Sequence, residues 1–321
     1  MKAPGLTRRP RLLLIAASVC ISFLATRAAD QATARLINIA TRAPSGGAAG
    51  SPIAGFVLSG AGTRPMLVRA AGPALAPFGV SGALADPALA VVKGSSILGT
   101  NDDWLASDSA LMAATGAFAF TSGSKDAALV TSLSEGAYTC PVTAPTNASG
   151  VVLLEVYDAA TSTAGPALVN ASTRAFVGTG SSVLIPGFTI GGTGTLPVLI
   201  RAVGPGLAAF GVTGVLADPT LTLYRDSTPL ATNDNWSSAA YAASITAAAT
   251  SVGAFTLASG SRDAAILTSL PAGSYTAVVS GVGNTTGTAL VEVYVTGAAT
   301  PDSSLSNPTP LDRKSKRLNS S

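Results

Sequence analysis

Apolar residues in this chain come in short runs separated by Gly, Pro, Asn and Asp, as in Phe56-Val57-Leu58, Met66-Leu67-Val68 and Val151-Val152-Leu153-Leu154. Runs of that length bounded by turn formers read as strands. Many short strands with little helical periodicity between them predict an all-β protein of antiparallel sandwich or jelly-roll type. Two Ala-rich stretches, Leu105–Thr115 and Ala239–Thr250, each predict one short helix. Pro271-Ala272-Gly273-Ser274-Tyr275 reads as a turn feeding a strand.

One apolar run is different. Leu12 to Leu24 follows Lys2, Arg8, Arg9 and Arg11 and leads into the small residues Thr26, Ala28 and Ala29. A basic start, a short apolar stretch and a small-residue exit describe an export signal over residues 1–29. The run is short against the roughly 20 residues of a bilayer span, and an uncleaved anchor is the alternative reading. The protein is therefore expected to be secreted or at the cell surface, touching membrane only through this segment. Arg8-Arg9 suggests twin-arginine export, but Pro10 and Arg11 depart from that pattern.

Comparing the chain with itself shows a duplication. Arg69-Ala70-Ala71-Gly72-Pro73 matches Arg201-Ala202-Val203-Gly204-Pro205 at an offset of 132. The same offset aligns Phe78-Gly79-Val80 with Phe210-Gly211-Val212, Leu84-Ala85-Asp86-Pro87 with Leu216-Ala217-Asp218-Pro219, and Thr100–Trp104 with Thr232–Trp236. After the tryptophans the offset becomes 137, aligning Ser122-Gly123-Ser124-Lys125-Asp126 with Ser259-Gly260-Ser261-Arg262-Asp263 and Glu155-Val156-Tyr157 with Glu292-Val293-Tyr294. This predicts two tandem β-sandwich modules, 30–159 and 167–296, joined by a small polar linker, 160–166. Residues 297–321 are a Pro/Ser/Thr-rich linker and a basic tail. That tail reads as adapter-derived read-through, which would leave the native protein continuing past the linker.

The run from Asp218-Pro219 through Asn233-Asp234-Asn235 and Leu270–Tyr275 to Glu292-Val293-Tyr294 resembles the bacterial pre-peptidase C-terminal domain. The first copy keeps this order with Ser134-Glu135 in place of the Pro-Ala of the second. The whole unit, with its Gly-Pro-x-Leu stretch, is similar to an uncharacterised repeat of large secreted proteins from environmental bacteria. The resemblance implies a non-catalytic β-sandwich accessory module, in a group where some members bind calcium or polymeric substrates.

Composition narrows the chemistry. The chain has no His and only two Cys, which excludes imidazole catalysis, a His-bearing zinc site and a disulfide framework. Cys20 falls inside the export segment, and Cys140 reads as a small buried residue with nothing basic beside it. The formal charge is +3, but the first segment accounts for +5 and the tail for +3, so the body between them carries −5. A nucleic-acid partner loses its electrostatic support.

Three sets of residues could carry a site. Asn101, Asp102 and Asp103, with Asn233, Asp234 and Asn235, offer alternating oxygens suited to Ca²⁺, with Asp126 and Asp263 as further donors. Turn and cap chemistry is the alternative reading. Trp104 and Trp236 could stack on a sugar ring or anchor a core. Arg69, Arg201, Glu155 and Glu292 lie in apolar runs, where charges are seldom buried unpaired, so structural ion pairs are expected; Asp86 and Asp218 are other partners. The Gly-Pro loops lack a phosphate-loop Lys, and Ser122-Gly123-Ser124-Lys125 becomes Ser-x-x-Arg in the second copy, so neither supports nucleotide binding or a Ser/Lys nucleophile. The expected function is adhesion, spacing or ligand binding at the cell surface or in the matrix, without catalysis and with an extracellular polymer or a surface component as partner. The alternative is a carbohydrate-binding accessory of a larger secreted enzyme, with calcium as a stabilising ion.

Overall fold

The structure, a computed structural model, describes residues 33–297 apart from 146, 147 and 239. The expected export segment and basic tail lie outside the described residues.

The chain is built on antiparallel β structure. The first copy supplies β1 (Arg35–Ser45), β2 (Ile53–Ala71), β3 (Ala88–Lys93), β4 (Ser96–Asn101), β5 (Ala127–Thr143) and β6 (Gly150–Asp158). The second supplies β7 (Ala167–Val177), β8 (Ile185–Val203), β9 (Pro219–Arg225), β10 (Thr228–Asn233), β11 (Ala264–Gly281) and β12 (Gly287–Val295). Helices α1 (Ser109–Thr115) and α2 (Ala242–Ser251) follow the two tryptophans. α1 stops at Gly116, whose φ of 76° supplies the left-handed cap.

Some runs that look like separate strands are parts of longer ones. Phe56–Leu58 and Met66–Val68 both belong to β2, which is 19 residues long. Its pairing with β5 shifts register between Leu58 and Thr63, at Gly60 and Gly62, which both have positive φ. Pro271–Tyr275 is likewise no turn between strands. It lies within β11 as a bulge, with Gly273 at φ 148° and a register shift against β8 between Pro271 and Gly273. Tyr275 Oη donates to Pro271 O at 2.7 Å across this bulge, and Tyr138 Oη donates to Ser134 O in the same way.

These bends let β2, β5, β8 and β11 each serve two pairing paths. One runs β10-β9-β11-β8-β1-β6-β2-β5. The other runs β4-β3-β5-β2-β7-β12-β8-β11. Each path takes strands from both copies. β1 pairs with β8 (Arg42 with Ile185, Thr41 with Pro186), and β7 pairs with β2 in the same register shifted by 132 (Arg174 with Ile53, Thr173 with Ala54). Segment 160–166 therefore separates two copies of a sequence unit whose sheets are shared.

The core follows from this pairing. A single buried apolar cluster contains Phe56, Leu58, Tyr138 and Val156 together with Phe188, Ile190, Tyr275 and Val293. Phe56 stacks on Tyr138 at 5.2 Å and Phe188 on Tyr275 at 5.5 Å. Two smaller clusters lie under the helices, around Met112 and Phe120 in one copy and Ile245 and Leu257 in the other.

Candidate functional site

The motifs that recur in both copies are far apart in sequence, yet they converge on one hydrogen-bonded network per copy. Asp126 is fully buried at its hub. Its Oδ1 accepts from the backbone N–H groups of Gly72 (2.7 Å) and Ala74 (3.1 Å), and its Oδ2 from Ser124 Oγ (2.6 Å). Trp104 Nε1 donates to Ser124 Oγ at 3.2 Å, while Trp104 N donates to Asp126 O at 2.9 Å. Asp263 repeats the arrangement with Gly204, Gly206, Ser261 and Trp236. A buried carboxylate is stable when its lone pairs meet N–H and O–H donors, so this oxygen set serves the backbone. Gly72 and Gly204 fit because a Cβ there would overlap the carbonyl oxygen of Leu84 or Leu216.

The Asn-Asp triplets take part in the same scaffold. Asn101 Oδ1 accepts from Ala128 N at 2.9 Å, and Asn101 Nδ2 donates to Asp103 O at 2.9 Å. Asn233 Oδ1 accepts from Ala265 N at 3.0 Å, and Asn233 Nδ2 donates to Asn235 O at 3.5 Å. Asp103 pairs on the surface with Lys125 at 2.8 Å, and that partner raises the Lys125 pKa. Asp102 and Asp234 are not brought to Asp126 or Asp263 by any contact. The described residues hold no group of three or more His, Cys, Asp or Glu side chains placed to share a metal ion. The tryptophans point inward: Trp236 is 7% exposed, and Trp104 packs edge-on against Phe120 at 5.8 Å.

Each copy also buries an Arg–Glu pair. Arg201 Nε donates to Glu292 Oε2 at 2.8 Å, and Arg201 Nη2 lies 2.6 Å from the same oxygen. In the first copy Arg69 Nε is 3.3 Å from Glu155 Oε2, without hydrogen-bond alignment. Tyr157 and Tyr294 donate their hydroxyls to Glu155 and Glu292, and their pKa values are raised by burial and by the adjoining carboxylate. Burial also raises Glu155 against the pull of Arg69, and desolvation lowers Arg69. Phe118 and Phe255 cover the guanidiniums, with ring centroids 4.5 and 4.3 Å away, and their carbonyls accept from Nη1. Asp86 and Asp218 stay outside these pairs; Asp218 instead accepts from exposed Arg262 at 2.8 Å.

Sequence reasoning missed two features. Buried Arg64 pairs with Asp158 at 2.6 Å and donates to the carbonyls of Ser162 and Ala164, clamping the segment between the copies. Its counterparts in the second copy are Leu196 and Val295, so the clamp occurs once. The second is a pair of surface pockets of about 370 and 400 Å³. One has Arg42, Phe78, Val80 and Ser81 of the first copy with Ser182 and Val183 of the second. The other has Arg174, Phe210, Val212 and Thr213 with Gly50 and Ser51, the same positions with the copies exchanged. Phe78 and Phe210 are 63% and 62% exposed. The only hint in the sequence was the repeated Phe-Gly-Val, which reads equally well as core.

Cys140 is buried in the shared core, and desolvation pushes its thiol up to about 12, far from thiolate reactivity. The chain matches no protein-family model and no curated protein.

Proposed function

We propose that this chain is a non-catalytic binding and spacing module that acts outside the cell, presenting two equivalent surface sites on one rigid β scaffold. The observation that carries the reading is the division of labour between buried and exposed groups. Asp126, Asp263, Glu155, Glu292 and Asp158 are spent on backbone N–H groups, tyrosine hydroxyls or guanidiniums. The chemistry that both copies repeat on the outside is an exposed phenylalanine beside an arginine. The resemblance to pre-peptidase C-terminal modules and the signal-like first segment support an extracellular setting. A carbohydrate-binding accessory of a larger enzyme is the narrower form of the same proposal, its aromatic platforms being Phe78 and Phe210.

Retention on insoluble extracellular polymers (cellulose, chitin and peptidoglycan sacculi) tests the reading. Saturable, reversible binding to at least one of them, with no soluble product released, is expected. Product release, or no retention on any polymer, would contradict it.

A further inference from the structure

We propose that the pockets at Phe78 and Phe210 are equivalent subsites for the uronic-acid residues of an acidic polysaccharide, an inference that rests on the binding reading above. Each pocket combines three elements. The first is a fixed aromatic face. Phe78 meets Phe118 edge-on at 5.0 Å and 66°, and Phe210 meets Phe255 at 4.8 Å and 68°, so each ring is held without being covered. An exposed aromatic face carries negative charge density that suits the polarised C–H groups of a pyranose ring. The second is a guanidinium, Arg42 in one pocket and Arg174 in the other, the side chain best shaped for bidentate recognition of a carboxylate. The third is a set of hydroxyls, Ser81 and Ser182 in one and Thr213 and Ser51 in the other, able to meet sugar hydroxyls.

Charge selects the acidic form. None of the described residues lining the two pockets carries a carboxylate, although the body as a whole has a formal charge of −5. The net negative charge of the body opposes a polyanion at large, and each pocket sets a guanidinium among lining residues that bring no carboxylate. An acidic peptide fits less well. Strand addition needs an open sheet edge, whereas the arginines stand on β1 and β7, each paired on both sides. Because the pockets are exchanged by the relation between the copies, one molecule can hold two polymer stretches at once and join them.

Calorimetric titration of the full chain with polygalacturonate, alginate and fully methyl-esterified pectin tests this. Two sites per chain for a polyuronate, at least tenfold weaker binding of the esterified polymer, and weakening with added salt are expected. Phe78→Ala should leave one site and Phe78→Ala/Phe210→Ala none, while Phe78→Trp keeps two. Arg42→Gln and Arg174→Gln should each weaken their own site about tenfold in variants whose circular dichroism and Tm match the parent, with Arg174→Lys recovering part of the loss. Equal affinity for acidic and esterified polymer would overturn the proposal, as would unchanged binding by the folded Arg42→Gln/Arg174→Gln chain. Retention on a neutral polymer with no binding of either polyuronate would overturn this inference and leave the binding reading standing. No binding to any polymer would end both.

Discussion

Thr41 Oγ1 lies 2.7 Å from Thr173 Oγ1, and both residues are buried. They are separated by 132 residues, the offset that relates the two copies, so each meets its own counterpart. Because the pairing is also reciprocal, β1 with β8 and β7 with β2 at the same offset, this self-contact marks a local two-fold relation between the copies. β1 and β7 share no ladder, so this contact bridges the two pairing paths through the core. Thr41→Val should strand the hydroxyl of Thr173 and cost about 1–3 kcal/mol. Thr41→Val/Thr173→Val should cost clearly less than the two single changes added together. Urea unfolding of the four chains gives the cycle.

The Arg–Glu pairs predict both a size and a pH profile. Arg201→Met leaves Glu292 buried without its partner and should destabilise by about 3–5 kcal/mol. For Glu155 the folded pKa is raised above its ordinary 4.5 by burial. The folded state thus holds that proton more tightly than the unfolded chain. This contribution is complete below pH 4.5 and is lost as pH rises through the folded value. Glu155→Gln should flatten that part of the stability profile. A profile unchanged by the substitution would contradict the burial argument.

Gly72 and Gly79 sit in the same loop but should respond differently to a methyl group. A Cβ on Gly72 meets the Leu84 carbonyl, whereas one on Gly79 finds open space and only the strain of φ 73°. Gly72→Ala should cost about 2 kcal/mol or more, by displacing the loop from Asp126. Gly79→Ala should cost about 1 kcal/mol. Thermal unfolding of the two variants distinguishes them, and equal effects would refute the assigned roles.

The triplet asparagines are expected to act without a cation. Asn101→Ala removes the acceptor for Ala128 N and should destabilise by about 1–3 kcal/mol in buffer containing chelator. The loss should be the same with millimolar calcium present. A parent Tm that falls on chelation would show that the exposed Asp102 and Asp103 carboxylates hold an ion after all.

The β class and the sites of the two helices were legible in the sequence because apolar run length and Ala content report local structure. Arg69 and Glu155 were legible as partners because charges in apolar runs must find one another. The sharing of sheets between copies was not, since nothing local distinguishes a β1 that pairs with β8 from one that stays within its copy. Thr41 reads as an ordinary polar strand position until its counterpart is seen opposite. The longest strands were hidden by their own bends, where Gly60, Gly62 and Gly273 look like turn punctuation. Whether Trp104 would stack on a ligand or anchor a core, and where Phe78 would lie, stayed open in the sequence for a related reason. Burial depends on what packs on top, and the Ser124–Asp126 pair draws the indole inward while Phe118 holds Phe78 at the surface.

The central claim is that the copies are interlocked halves of one β structure meeting on an axis at Thr41 and Thr173. Oxidation of the Thr41→Cys/Thr173→Cys chain in a Cys20→Ala/Cys140→Ala background tests it directly. Peptide mapping under non-reducing conditions should recover the residue 41 and 173 peptides joined within one chain, in high yield and independent of protein concentration. Free thiols at both positions in the folded protein, or joining only between chains, would contradict it.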